Sequence, residues 1–329
     1  MPVVVSLLFG FIPMFLFGFL VYWLDRYEKE PKFLLGFVFL WGALVAAGVA
    51  FLLNSLFGAS VFLITQSELA ADFSTGAISA PIIEESMKGF AVLIVFFLAY
   101  HEFDSIIDGI VYAAVTALGF AATENSFYIY NYGYLESGWS GLFDLAFIRI
   151  ILVGWQHPFY TAFIGIGLAI SRTNKSTLIK WIVPILGWIT AVTLHSIHNI
   201  IASLANGPIG LFLGTSLDWI GWFFMLVFIL VILIRENNQI KTVLLLEEIN
   251  SPVHKSYFDS VTKSSQRMKY RVKLFGSKKL REYNRFLQLC AELAHKIHQE
   301  ERIEKKSRYQ KNIHELRNDI QICLSNLEN

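Results

Sequence analysis

The chain has 329 residues, 55% of them apolar and 15% aromatic, with 29 Phe and a net charge of +1. That is the composition of a membrane protein, and nothing in it calls for a nucleic-acid partner. Its two cysteines, Cys290 and Cys323, belong to no CxxC or Cys/His cluster, which excludes a disulfide framework and a thiolate zinc site. The small net charge hides two regions. Residues 1–234 carry 8 Lys/Arg against 14 Asp/Glu, a net of −6, and residues 235–329 carry 19 against 12, a net of +7.

Seven apolar spans are predicted, near 3–24, 33–57, 76–100, 106–130, 143–171, 178–204 and 209–234. The first has no basic leader and no small-residue cleavage site, so it reads as a retained helix. Loop 25–32 holds Arg26, Lys29 and Lys32, loop 172–180 holds Arg172, Lys175 and Lys180, and the tail opens with Arg235 and Lys241. The alternate loops near 58–75, 131–142 and 205–208 contain no Lys or Arg. An excess of cations on the cytoplasmic side then places the N-terminus outside and the tail in the cytoplasm of a multi-pass protein. The expected fold is an all-α polytopic membrane protein with about seven transmembrane helices and a cytoplasmic, mainly helical C-terminal extension. Residues 1–234 form the membrane domain and 235–329 the tail.

The third span contains Pro81-Ile82-Ile83-Glu84-Glu85-Ser86-Met87-Lys88. Each charge at such depth costs roughly 2.5–3.5 kcal/mol, so it is paired or used. Lys88 lies three and four residues beyond the carboxylates, on the same helical face. A rise of ~1.5 Å per residue puts Glu84 and Glu85 ~12–14 Å below the outer face, Glu124 ~9 Å, His195 ~13 Å, and His198 and Asn199 ~8–9 Å. His157 falls nearer the midplane of a long, tilted fifth span. Several helices thus send polar groups to one layer of the outer half. Arg149 and Asp108 are expected to orient helices or sit at the interface, Asn125 to cap or pack, and Asp218 to be structural.

In the tail, residues 267–274 alternate basic and apolar as a short strand or surface ribbon would. Nine basic residues and one acid, Glu282, lie between Lys263 and Arg285, a pattern suited to anionic lipid. Two amphipathic helices follow. Leu280, Tyr283, Leu287, Cys290, Ala294 and Ile297 line one, and Tyr309, Ile313, Leu316, Ile320, Cys323 and Leu327 the other. They predict a helical hairpin or coiled coil, through which the tail would self-associate or take a partner helix. His295, His298 and His314 are assigned to solvent.

Peptide hydrolysis needs an activated water, a stabiliser for the oxyanion and a proton for the leaving amine. Glu84 or Glu85 could supply the base with Lys88 as ionic partner, and His195 and Asn199, one turn apart, could donate to an oxygen. The same groups could instead hold a divalent metal such as zinc, drawing three ligands from Glu84 or Glu85, Glu124, His157, His195 and His198. No HExxH and no GxGD stands in a span, and Gly138-Trp139-Ser140-Gly141 falls in a loop, which argues against the other intramembrane protease types. A proton-coupled transporter would string polar groups across the full bilayer. A non-catalytic scaffold would use the buried charges only to hold its helices.

Several motifs occur in a fixed order: Asp25-Arg26-Tyr27-Glu28-Lys29-Glu30-Pro31, EExxK at Glu84–Lys88, Phe120-Ala121-Ala122-Thr123-Glu124-Asn125, His157, and His195 with Asn199. In these the chain resembles the PrsW family of intramembrane proteases, related to the CAAX-processing and bacteriocin-processing glutamate proteases. The resemblance covers residues 1–234 and implies that Glu84, Glu85, Lys88, Glu124, His157, His195 and Asn199 form the catalytic set. It further implies a membrane-anchored protein substrate cut near the extracytoplasmic face, as in anti-sigma-factor cleavage during bacterial stress signalling.

Overall fold

A computed structural model describes the backbone of all residues except 25–28, 101–102, 104, 205–206, 247–251, 303–305 and 329. Side chains are described outside 24–28, 101–102, 104, 205–208, 239, 243–254, 295, 298–312 and 329. Asp25–Glu28 of the first loop motif and the side chains of His295, His298 and Tyr309 therefore lie outside the described residues; His314 is exposed. Among the described residues the protein is all-α, with no strand. The contacts divide it into two compact units, one of Met1–Asp25 with Glu30–Val227 and one that includes Phe228–Asn329.

The first unit opens with α1 (Pro2–Leu24). Next come α2 (Lys32–Leu40) and α3 (Ala47–Thr65), which a π-helical turn over Trp41–Ala46 joins into one rod. The loop expected at 58–75 is mostly helix. α3 runs on to Thr65, Gln66 turns the chain at φ 55°, and Ser67 caps α4 (Glu68–Ser74) by accepting from Ala70 N–H. A second π-helical turn, Thr75–Ser79, leads into α5 (Ala80–Leu98), the charged span. α6 (Ile106–Tyr128) opens on a capping box in which Ser105 and Asp108 satisfy each other's backbone N–H. Asp108, expected to orient its helix or sit at the interface, is thus part of the N-terminal capping box of α6.

α6 is the central pillar. Almost its whole length is buried, and it packs on α1, α2, α5 and α8. Small residues permit this close approach. A methyl group on Gly109 would overlap the carbonyl of Gly165 in the neighbouring helix, and one on Gly165 that of Gly109.

The fifth span is not one tilted helix. It is α7 (Leu135–Phe147), kinked at Ser137 and Gly138, then a π-helical turn over Ile148–Leu152, a break at Val153–Trp155, and α8 (Gln156–Thr173). Pro158 explains the restart: it has no N–H for the carbonyl four residues back, and its ring is tolerated only in the first turn of a helix. His157 therefore sits in that first turn. α9 (Thr177–Leu204) and α10 (Gly207–Leu246) complete the apolar part, α10 running twelve residues past the expected end of its span. Among the described residues five helical stretches are long and apolar enough to cross a membrane: Pro2–Trp23, Lys32–Thr65, Ile106–Thr173, Thr177–Leu204 and Ile209–Thr242.

The second unit contains α11 (Pro252–Thr262), α12 (Ser264–Lys273), α13 (Lys279–Arg302) and α14 (Lys306–Glu328). The strand expected at 267–274 is helix α12. Tyr270 and Leu274, one turn apart, pack inward, a helical period that the basic-apolar alternation had masked. α13 and α14 pack on each other, burying Tyr283, Cys290, Ala294, Ile313, Leu316, Ile320, Cys323 and Leu327. The expected hairpin is present.

Candidate active site

Lys88 is fully buried on α5, where its ammonium lies 2.8 Å from Glu85 Oε1 and 3.4 Å from Glu84 Oε2. It also lies 3.1 Å from His157 Nδ1 and 4.1 Å above the Phe120 ring. An ammonium only donates, so His157 Nδ1 is the acceptor and its Nε2–H points to Glu124 Oε2, 2.9 Å away. One cation thereby ties three helices together, α5, α6 and α8.

The two adjacent glutamates have different surroundings. Glu85 Oε1 receives Lys88 and, at 3.0 Å, His195 Nδ1–H, and its Oε2 accepts from the Thr161 hydroxyl at 2.8 Å. Both oxygens are thus occupied, and the residue is fully enclosed. Glu84 has only the longer contact to Lys88, and its Oε2 faces His195 Nε2 at 3.9 Å. Glu85 holds its neighbours in place, and Glu84 is the carboxylate with an oxygen to spare.

Glu124 accepts from the guanidinium of Arg149, whose Nε donates to Asn125 Oδ1 at 2.8 Å and whose plane covers the Tyr128 ring at 4.3 Å. Arg149, expected only to orient a helix, is drawn into the site, and Asn125 packs against it. His195 stacks on Tyr160, with ring centres 5.2 Å apart. The Tyr160 hydroxyl donates to Asp218 Oδ1 at 2.8 Å, and His198 Nδ1 lies 2.9 Å from Asp218 Oδ2. His198 therefore belongs to a neighbouring cluster with Asp218.

Asn199 is one turn beyond His195, as expected, but one of its amide N–H groups bonds the carbonyl of Gly76 at 2.8 Å. The cause lies in Pro81. Within the π-helical turn Ala80 N–H already bonds Thr75 O, so the donors due to Gly76 O and Ala77 O would both come from Pro81, which has none. Asn199 satisfies the first carbonyl and the Ser196 hydroxyl the second. Sequence reasoning missed Thr161, Tyr160 and Ser196. Thr and Tyr are ordinary in apolar helices, and only Pro81, read as a source of unpaired carbonyls, announced a need for donors nearby.

The donor atoms of Glu84, His157 and His195 lie within 4.8 Å of one another. A Glu/His/His set suits zinc, and His195 already has the usual orientation of a ligand, with Nδ1–H on a carboxylate and Nε2 free. His157 would have to release Lys88 or Glu124 to join. Glu85, Glu124 and His198 stand outside this convergence, each committed to the partners described above. Glu84, Glu85 and Glu124 face two cations here, Lys88 and Arg149, so one carboxylate has no cation of its own.

A family model described as PrsW family intramembrane metalloprotease matches residues 30–234. The chain belongs to the PrsW family. Among curated proteins it is 27% identical to Protease PrsW of Geobacillus kaustophilus over 201 residues, which is 60% of this chain and 79% of that one. It is 28% identical to Protease PrsW of Oceanobacillus iheyensis over 179 residues, 52% of this chain and 71% of that one. With Protease PrsW of Clostridioides difficile it shares 32% identity over 124 residues, 38% of this chain and 50% of that one. No solved structure matches. The protein is thus a membrane-embedded protease. The PrsW match ends at residue 234, so the tail lies beyond it.

Proposed function

We propose that the protein hydrolyses a peptide bond of a membrane-anchored protein near the extracytoplasmic face, as a step in regulated proteolysis signalling. The layer of polar groups in the outer half of the spans, together with the cation bias of the loops, supports that side. In this reading Glu84 is the base that takes a proton from the attacking water and returns it to the leaving amine. The single observation that carries it is the free oxygen of Glu84, set against the fully engaged Glu85.

Lys88 holds Glu84 and Glu85 side by side from within α5. Glu85 and Thr161 fix the His195 ring, and Arg149 and Glu124 fix His157. Asn199 retains a second amide N–H with which to steady the oxyanion. In the alternative, metal-bound form a zinc ion held by Glu84, His157 and His195 would supply Lewis-acid polarisation of the substrate carbonyl; Glu84 would then be a ligand instead of the base, and His157 would have given up Lys88 or Glu124.

The test is cleavage of a single-pass substrate by the full-length protein in liposomes. Glu84→Gln is expected to lower the rate by about 100-fold or more. Loss of activity with a chelator and recovery with zinc supports the metal site, and chelator-insensitive cleavage rules it out. Full activity in Glu84→Gln would overturn the assignment of the base.

A further inference from the structure

Helix α12 faces two ways. Tyr270 and Leu274 pack into the core of the second unit, and Arg267 donates to the carbonyls that end α11, those of Ser260 and Val261. On the opposite side Met268, Val272 and Phe275 stand 62%, 68% and 83% exposed. Met268 and Val272, four residues apart on α12, form a stripe on one helical face, and Phe275 follows in the turn just past the helix end. Apart from Ile322, they are the only large apolar side chains exposed among the described residues of 252–329.

Cations border this stripe. The same geometry puts Lys269 and Lys273 along one edge and Arg271 along the other, with Lys278 in the following turn, all of them exposed. From Ser260 to Arg281 the chain has eight Lys/Arg and no Asp/Glu. The surface that complements such a face is apolar at its centre and anionic at its rim. A bilayer with acidic headgroups meets both conditions: the apolar side chains enter the acyl boundary while long Lys and Arg side chains reach back to phosphate. A second copy docked by this face would set one row of cations against another. The segment is moreover carried on the same chain as the membrane-spanning helices.

We propose that the α12 face carrying Met268 and Val272, together with Phe275 in the turn after it, lies on the anionic surface of the membrane that holds the rest of the protein. The proposal is independent of the protease chemistry. To test it, the full-length variant Ser265→Cys, which places a thiol beside the stripe, is labelled with an environment-sensitive fluorophore; Cys290 and Cys323 are buried and spared. The protein is reconstituted in vesicles of phosphatidylcholine alone or with 30 mol% phosphatidylglycerol, each doped with a doxyl-lipid quencher. Quenching is expected in the acidic vesicles and not in the neutral ones. Lys269→Gln with Lys273→Gln should lower the ratio of docked to free tail roughly 25-fold, at about fivefold per cation. Met268→Ser with Phe275→Ser should abolish quenching, and because both side chains are exposed the fold is left intact. Equal quenching in the two vesicle types, quenching in neither, or energy transfer between labelled copies in its place would each overturn the proposal.

Discussion

Glu84 and Glu85 are neighbours of one type on one helix, yet they differ in what the next helices bring to them. The difference rests largely on Thr161, whose hydroxyl is the partner of Glu85 Oε2. Thr161→Val would leave that oxygen of a fully buried carboxylate without a donor, a loss of about 1–3 kcal/mol or more for a charged group. The expected result is a lower thermal midpoint in detergent together with weaker cleavage, whereas Thr161→Ser, which keeps the hydroxyl, should stay near the parent in both. At this scale the charged members of the site were legible, because a Glu or Lys in an apolar run is costly enough to stand out. Their division of labour was not. A threonine in a membrane helix carries no signal until a carboxylate is seen above it, and Arg149 read as an orienting charge until Glu124 was seen beside it.

Among the elements, the junction of α5 with α9 shows how one residue type imposes a demand on another helix. Pro81 withdraws the donors of Gly76 O and Ala77 O, and Asn199 and Ser196 replace them. Removing the Ser196 hydroxyl should therefore cost about 1–2 kcal/mol with Pro81 present, and markedly less in a Pro81→Ala background, where a backbone N–H is restored. A double-mutant cycle read by unfolding in detergent checks this. Equal costs in the two backgrounds would mean that Ser196 does not answer to the proline. The all-α, membrane-like character was readable from the apolar runs, but five long apolar stretches stand among the described residues where seven spans were expected, and charged α5 is not one of them. The internal breaks of the helices were less legible. Pro158 marks a weak point in helical bonding, but a proline inside an apolar run does not by itself distinguish a kink from the full restart seen at α8. In the tail, a basic-apolar alternation eight residues long fitted a strand and a helix equally well, and the inward contacts of Tyr270 and Leu274 decided for the helix.

Across the whole molecule, the charge asymmetry seen in the composition corresponds to two kinds of core. The first unit surrounds its charged groups with small-residue helix contacts, and the second has an ordinary apolar core built on α13 and α14. In that core Cys323 is buried and burial holds its thiol above the ordinary range. Less of it is thiolate at a given pH, so alkylation should be slow at pH 8 and its onset should move to higher pH. Rapid alkylation of both cysteines is expected only once the unit unfolds, as urea titration with mass-spectrometric readout would show.

The restart of the chain at α8 has an electrical consequence as well. A helix N-terminus presents backbone N–H groups with no intrahelical acceptor, equivalent to about half a positive charge. Here that end carries His157, within reach of Glu124 and beside Lys88. Pro158 brings no N–H to that end, and those of Gln156 and Phe159 already bond Val153 O and Trp155 O. The backbone therefore leaves few open donors there, and the three carboxylates depend on the side chains of Lys88 and Arg149.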